Sequence, residues 1–378
     1  MFLRRGTVRP FPVALLLSVC LAAAIPSFCA LAAAAQPTAP DPSSGLINPQ
    51  GIAFNSANRK VYAVDQTHAR VSVIDTASQT VRSVEVGKAP VSIAVDSISG
   101  RTYVANSGDG TVSIIDGISD KVLATVAVGA HPYSIAANPR TGMVYVSHTF
   151  SDRTTVLDAA TNGVTQLATG SADLIAIDAA ANTSYLLGYE AGTLTVLAGA
   201  GPTFRKQEAG PHAWGMAVNE ATHTLYVARM GAGDVIVLRG TSSSILHAGH
   251  TPCAVAINPR TNAIYVANYA DGTVTVFDAE TGRSVATIPV GVHPQAVAVD
   301  AQRSLVYVAN TSSGTVTLID EERRKRVATV PAGKFPYALA VDPGSSNLYV
   351  ANEAGDPPFT IVDTRLPQDA NPPATVRR

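Results

Sequence analysis

The apolar residues of this chain fall in short recurring runs rather than long amphipathic stretches. Between residues 91 and 128 they read Val-Ser-Ile-Ala-Val (91–95), Thr-Tyr-Val-Ala (102–105), Thr-Val-Ser-Ile-Ile (111–115) and Val-Leu-Ala-Thr-Val-Ala-Val (122–128), parted by Gly, Asn, Asp and Ser. Four β-rich runs of this length, separated by turn formers, predict four strands. No segment after residue 36 sustains a 3.6-residue apolar period, so helices are not expected. The first three runs are apolar at successive positions, whereas a sheet with one wet face would alternate. Each four-stranded sheet is therefore expected to be covered on both sides.

The same unit recurs along the chain. Tyr62, Tyr103, Tyr145, Tyr185, Tyr226, Tyr265, Tyr307 and Tyr349 stand 39 to 42 residues apart. Seven residues before each tyrosine is Asn or Asp: Asn55, Asp96, Asn138, Asp178, Asn219, Asn258, Asp300 and Asp342. Thirteen residues after it come Asp75, Asp116, Asp158, Asp278 and Asp320; Asp363 stands at fourteen, and Ala198 and Arg239 break the column. Asn and Asp at such places bond backbone amides ahead of them and open tight turns. Turn chemistry, rather than catalysis, is the reading taken for both columns. A period of this length marks a copied folding unit. The fold predicted is all-β: a single β-propeller of four-stranded antiparallel blades, with eight blades and seven as the alternative. A linear solenoid would need polar capping repeats, and neither end supplies one.

Tyr-Val-Ala-Asn recurs at 103–106, 265–268, 307–310 and 349–352, and Gly-x-x-Pro opens units at 87–90, 129–132, 249–252, 291–294 and 333–336. On these motifs the chain resembles the YVTN family of β-propeller repeats, including YncE-like periplasmic proteins. The resemblance covers residues 46–366 and implies a binding role outside the cell interior, with single-stranded nucleic acid as one ligand class. Repeats four and five depart from it, reading Tyr-Leu-Leu-Gly at 185–188 and Tyr-Val-Ala-Arg at 226–229.

Outside the repeats, residues 1–35 read as a secretory signal. Arg4, Arg5 and Arg9 precede an apolar stretch and an alanine-rich end, with cleavage expected near Ala35. The stretch is too short and interrupted to span a membrane, so no transmembrane segment is expected in the mature chain. Residues 36–47 form an N-terminal segment, of which 41–47 can supply a ring-closing strand; 48–366 hold the propeller; 367–378 are expected to be a disordered tail. Without the leader the chain keeps 24 basic and 28 acidic residues, a formal net charge of −4, which does not favour a nucleic-acid binder. Cys20 and Cys29 leave with the leader, and Cys253 is expected as a buried, inert thiol with no internal disulfide. The protein is expected to be a periplasmic or secreted monomer.

Candidate chemistry lies where the repeats differ. The residue before the Gly-x-x-Pro proline reads Asn48, Ala89, His131, His212, Thr251, His293 and Phe335; the residue after the proline reads Gln50, Val91, Tyr133, Trp214, Cys253, Gln295 and Tyr337. With Lys88 and Lys334 one position earlier, and Arg229 in a divergent repeat, these predict a ligand-binding rim of His131, His212, His293, Tyr133, Trp214, Tyr337, Arg229, Lys88 and Lys334. Asp173 is an isolated carboxylate near the same rim. His68, His148, His223 and His247 are expected in turns or in solvent. The rim histidines come from alternate repeats, too far apart to share one metal ion, so no metal is assigned. No Gly-x-Ser-x-Gly or His-Glu-x-x-His motif occurs, and no cofactor is implied. The expectation is an exported, non-enzymatic scaffold binding a ligand or envelope partner at a channel mouth. The alternatives are a lactonase-type hydrolase or lyase, and a single-stranded nucleic acid binder.

Overall fold

The computed structural model describes residues 51–365 and 376–377. All regular elements among them are strands, arranged as eight four-stranded antiparallel sheets. Within each sheet the strands follow chain order from the axis outward. First strands of successive blades touch, and the first strand of blade one (Ile52–Asn55) meets that of blade eight (Lys334–Val341), which closes the ring. The eight-bladed propeller read from the repeat is the fold observed.

Burial follows position. The second strand of blade seven, Leu305–Asn310, is buried at every residue. The outer strand of blade two, Val122–Ala127, alternates half-buried and exposed. Inner strands are covered by neighbouring blades on both faces, and only the outermost strands have a wet side.

Each repeated residue has a mechanical task. The eight Asx side chains ending the first strands accept turn amides, as in Asn55 from Ala57 at 3.1 Å and Asp300 from Gln302 at 3.1 Å. The aspartates ending third strands do likewise, as in Asp278 from Thr281 at 2.7 Å, a bond that holds that carboxyl below its ordinary range. Three of the tyrosine hydroxyls reach forward to the next blade. Tyr145 donates to the Gly199 carbonyl at 3.2 Å, Tyr307 meets Thr364 Oγ1 at 3.3 Å, and Tyr349 accepts from Gln79 across the ring seam at 3.0 Å. Seven of the eight tyrosines rank among the largest fully buried side chains. Tyr307→Phe, which loses only the hydroxyl, is expected to cost about 1 kcal/mol. Tyr307→Ala is expected to cost about 3–5 kcal/mol. Urea unfolding measures both.

The asparagine of Tyr-Val-Ala-Asn ties its own strand to the third strand and to the segment that enters the blade. Asn310 donates to Thr315 at 3.1 Å and Thr317 at 2.9 Å, and accepts from the Gly291 amide at 2.9 Å. A Cβ on Gly291 would lie 2.6 Å from the Asn310 side chain, which explains the glycine of Gly-x-x-Pro.

The seam between blades eight and one is held by Arg59 to Asp342 at 2.8 Å and by Tyr337 against Gly51. Gly51 has φ +91°, and a Cβ there would overlap the Tyr337 hydroxyl, so only glycine fits. The fourth strand of blade eight is Val376–Arg377, paired with Phe359–Asp363. Part of the expected disordered tail is thus ordered by strand pairing. The N-terminal segment expected in that place lies outside the described residues.

Candidate functional site

First-strand starts and second-strand ends lie at the same end of each antiparallel blade, so the candidate rim belongs to one mouth of the ring. The backbone there has a repeated form. Ala89, His131, His212, Thr251, His293 and Phe335 all take left-handed φ between 48° and 56°. Their carbonyls accept from the residue that follows the second strand, as in Met230 to His212 and Thr311 to His293, both at 3.0 Å. The next but one residue is a β-bulge: pairing steps from Ala213 to Gly215 over Trp214, from Pro252 to Ala254 over Cys253, from Pro294 to Ala296 over Gln295, and from Pro336 to Ala338 over Tyr337. A bulge takes its residue off the ladder and re-aims the side chain. Left-handed non-glycine residues add strain of about 1 kcal/mol each, held by the surrounding ring. The two variable columns are therefore one device repeated round the mouth.

Two ring assemblies stand on this device. Tyr189 follows the second strand of blade four (Thr183–Leu187) and packs edge-on against Trp214 of blade five, with centroids 5.2 Å apart at 89°. It also lies 5.2 Å from His212 at a tilt of 58°. Tyr269 follows the second strand of blade six and stacks on His293 of blade seven at 4.3 Å and 4°. The other nitrogen-bearing contact of His293 is to a hydroxyl: Nδ1 lies 2.7 Å from Ser312 Oγ. Tyr189, Tyr269 and Ser312 were not singled out from the sequence. For the two tyrosines the signal was there: the position after Tyr-Val-Ala-Asn reads Gln66, Ser107, Thr149, Tyr189, Met230, Tyr269, Thr311 and Glu353.

The remaining candidates divide. His131, Lys88 and Lys334 are exposed at the mouth, and Tyr133 is half-buried in its bulge. Tyr337 is half-buried at the ring seam, where desolvation raises its phenol. Trp214 is 5% exposed. Arg229 is drawn inward: Nε and Nη2 hold the two oxygens of Asp234 at 2.7 Å each. It occupies the asparagine position of its blade and Asp234 the threonine position, so the ion pair replaces the Asn–Thr bond. Blade one carries the reversed pair, Asp65 with Arg70 at 2.7 Å. His148 fills the same position in blade three, buried between the Ala130 carbonyl at 3.0 Å and Thr155 Oγ1 at 2.8 Å; desolvation lowers its basicity. It is a packed histidine and not the solvated one expected. Cys253 is fully buried, with Sγ 3.2 Å from the Pro294 carbonyl.

Asp173 opens blade four, whose first strand (Leu174–Asp178) has no bulge. Its Oδ2 accepts the Tyr189 amide at 2.7 Å. Burial raises its carboxyl; the amide opposes and Glu190 adds to the rise. No three His, Cys, Asp or Glu side chains converge to hold a metal among the described residues.

A family model described as "Lactonase, 7-bladed beta-propeller" matches residues 33–330. The match ends in the outer strand of blade seven, Lys325–Pro331, so blade eight lies beyond it. No curated protein matches the chain. Among solved structures, dihydro-heme d1 dehydrogenase NirN, in complex with DHE, superposes with TM-score 0.70 at 13% identity, covering 90% of this chain and 76% of that one. Apo AztD from Citrobacter koseri gives 0.57 at 14% identity, covering 81% and 91%. Kuenenia stuttgartiensis hydrazine synthase gives 0.55 at 17% identity, covering 88% and 99%. At these identities the likeness is one of fold.

Proposed function

The chain belongs to the lactonase, seven-bladed β-propeller family, and from that premise we propose an exported binding protein that holds its ligand at the mouth over blades four to seven. The observation that carries this reading is the gathering of Tyr189, His212, Trp214, Tyr269 and His293 at one mouth. The repeated Tyr, Asn and Asx residues are occupied in turns and blade junctions. The variable positions at this mouth include these aromatic rings, and aromatic faces grip ligands at low entropic cost. The Tyr-Val-Ala-Asn motif supports a YncE-like kinship within this reading, and the arginine-led leader supports export.

Hydrolysis is the second reading, favoured by the family and by the Ser312–His293 pair at 2.7 Å. In that chemistry Ser312 Oγ attacks a lactone carbonyl as His293 takes its proton, the ring oxygen leaves protonated, and water releases the acyl group. Among the described residues no carboxylate bonds to His293, and Tyr269 stacks on its ring.

The two readings separate in one set of assays. Trp214 is the only tryptophan, so its fluorescence reports ligands at the mouth. A panel of sugars, peptides and amines is expected to give a saturable change with at least one class. Lactone and ester turnover is expected to equal the buffer rate. Saturable turnover lost in both Ser312→Ala and His293→Ala would instead establish hydrolysis.

A further inference from the structure

We propose that a groove on the flank of blades six and seven binds a small organic carboxylate with an oxygen acceptor at its far end. The groove encloses about 470 Å³, a size in the range of small-molecule sites. Much of its wall is the outer strand of blade seven, Lys325–Pro331, from which Arg326, Val327, Ala328 and Thr329 all line it. A regular strand turns successive side chains to opposite faces, so four in a row need a break in the ladder. A β-bulge supplies the break: pairing with the third strand steps from Ala328 to Arg326 over Val327.

The lining offers side-chain donors and no carboxylate. Arg326 is exposed and forms no hydrogen bond or ion pair among the described residues, whereas Arg323 on the preceding turn is closed on Asp320. The Arg326 guanidinium can therefore fork onto a carboxylate. Blades two and six carry the same bulge but place Val122 and Ser284 where blade seven places Arg326. Toward the other end the lining includes two hydroxyls that already accept from the protein. Ser313 takes the Val292 amide at 2.7 Å, and Thr315 takes Asn310 Nδ2 at 3.1 Å. Each keeps its own proton for an acceptor on a ligand. Val290, Val327 and Ala328 add half-buried apolar surface. The cation selects the charge, the apolar strip a short carbon chain, and the hydroxyls a second oxygen.

The test uses the whole mature protein and titrates 5-oxohexanoate by calorimetry at constant ionic strength, beside the uncharged 5-oxohexanamide and inorganic phosphate. Saturable binding of the carboxylate is expected, with the amide and phosphate each about tenfold weaker. Arg326→Ser, which installs the residue found in blade six, is expected to weaken it about tenfold, and Thr315→Val about fivefold. Lys325→Ser removes the adjacent cation, which does not line the groove, and is expected to leave binding unchanged. Circular dichroism melting checks that the variants are folded. No saturable binding of 5-oxohexanoate, or equal binding of the amide or of phosphate, overturns the assignment. So does binding that survives Arg326→Ser, or that falls equally in Lys325→Ser, since the groove would then not be what holds the ligand.

Discussion

Replacing Arg229 by alanine is expected to destabilise the propeller by about 3–5 kcal/mol, because it leaves a buried carboxylate without a partner. Asp234 is 5% exposed and its two oxygens take both arms of the guanidinium. The cost comes from the stranded charge more than from the lost bond, so the double variant separates the two. Arg229→Asn with Asp234→Thr installs the pair found as Asn310 with Thr315 in blade seven. It is expected to recover most of the loss, since every polar atom then has a neutral partner in a geometry the repeat already uses. Urea midpoints of wild type, both single variants and the double give the coupling energy. A double variant as unstable as Arg229→Ala would show that the blade had adapted to its ion pair. Unchanged stability in Arg229→Ala would remove the structural role and return Arg229 to the binding rim.

The second large effect is a pH dependence. Glu220 is 4% exposed in the turn after the first strand of blade five. Its Oε1 accepts the Ala179 amide at 3.3 Å, and Oε2 is buried without a partner. Asp178, bonded to His223 at 2.8 Å, adds to the rise of the Glu220 carboxyl, and Arg140 opposes it. Burial pushes the Glu220 carboxyl from 4.5 to about 7. A raised folded-state value means that the proton-bound form suits the fold. The contribution is complete below 4.5 and is lost as pH climbs through 7, a decline of about 3 kcal/mol. Glu220→Gln is expected to flatten this decline and to exceed wild type by a similar amount at pH 8. Unfolding free energies at pH 5, 6, 7 and 8 check it; parallel curves for the two proteins would contradict it. The turn aspartates act oppositely. Asp75 and Asp278 are held low by turn amides, so their contributions fall away only under acid conditions.

The ring itself was legible because its residues are repeated. A tyrosine every 39 to 42 residues and an Asx seven before it are enough to place strands and turns. The mouth was legible only as a list of variable positions. Which of them meet depends on pairing between blades, and that lies outside any one repeat. His212 and Trp214 were visible as rim candidates, yet the ring that joins them, Tyr189, sits in the preceding unit. Arg229 has a structural side hidden for a related reason. Its divergence from asparagine looked like a gain of function, and its compensation, Asp234, becomes visible only when strands two and three are placed in register. His148 is the same case: a polar residue at a buried node, satisfied by Ala130 and Thr155 across the hairpin.

Seven of the eight blade junctions are bridged by a covalent linker, and the one between blades eight and one is not. Among the described residues, Arg59 with Asp342, Gln79 with Tyr349 and Tyr337 on Gly51 hold it by contact. Under tension applied between the two ends of the chain, the two-residue outer strand Val376–Arg377 peels first, and that junction bears the load next. A circular permutant whose ends fall in another junction would carry the mechanical weakness to that place, leaving the mouth unchanged.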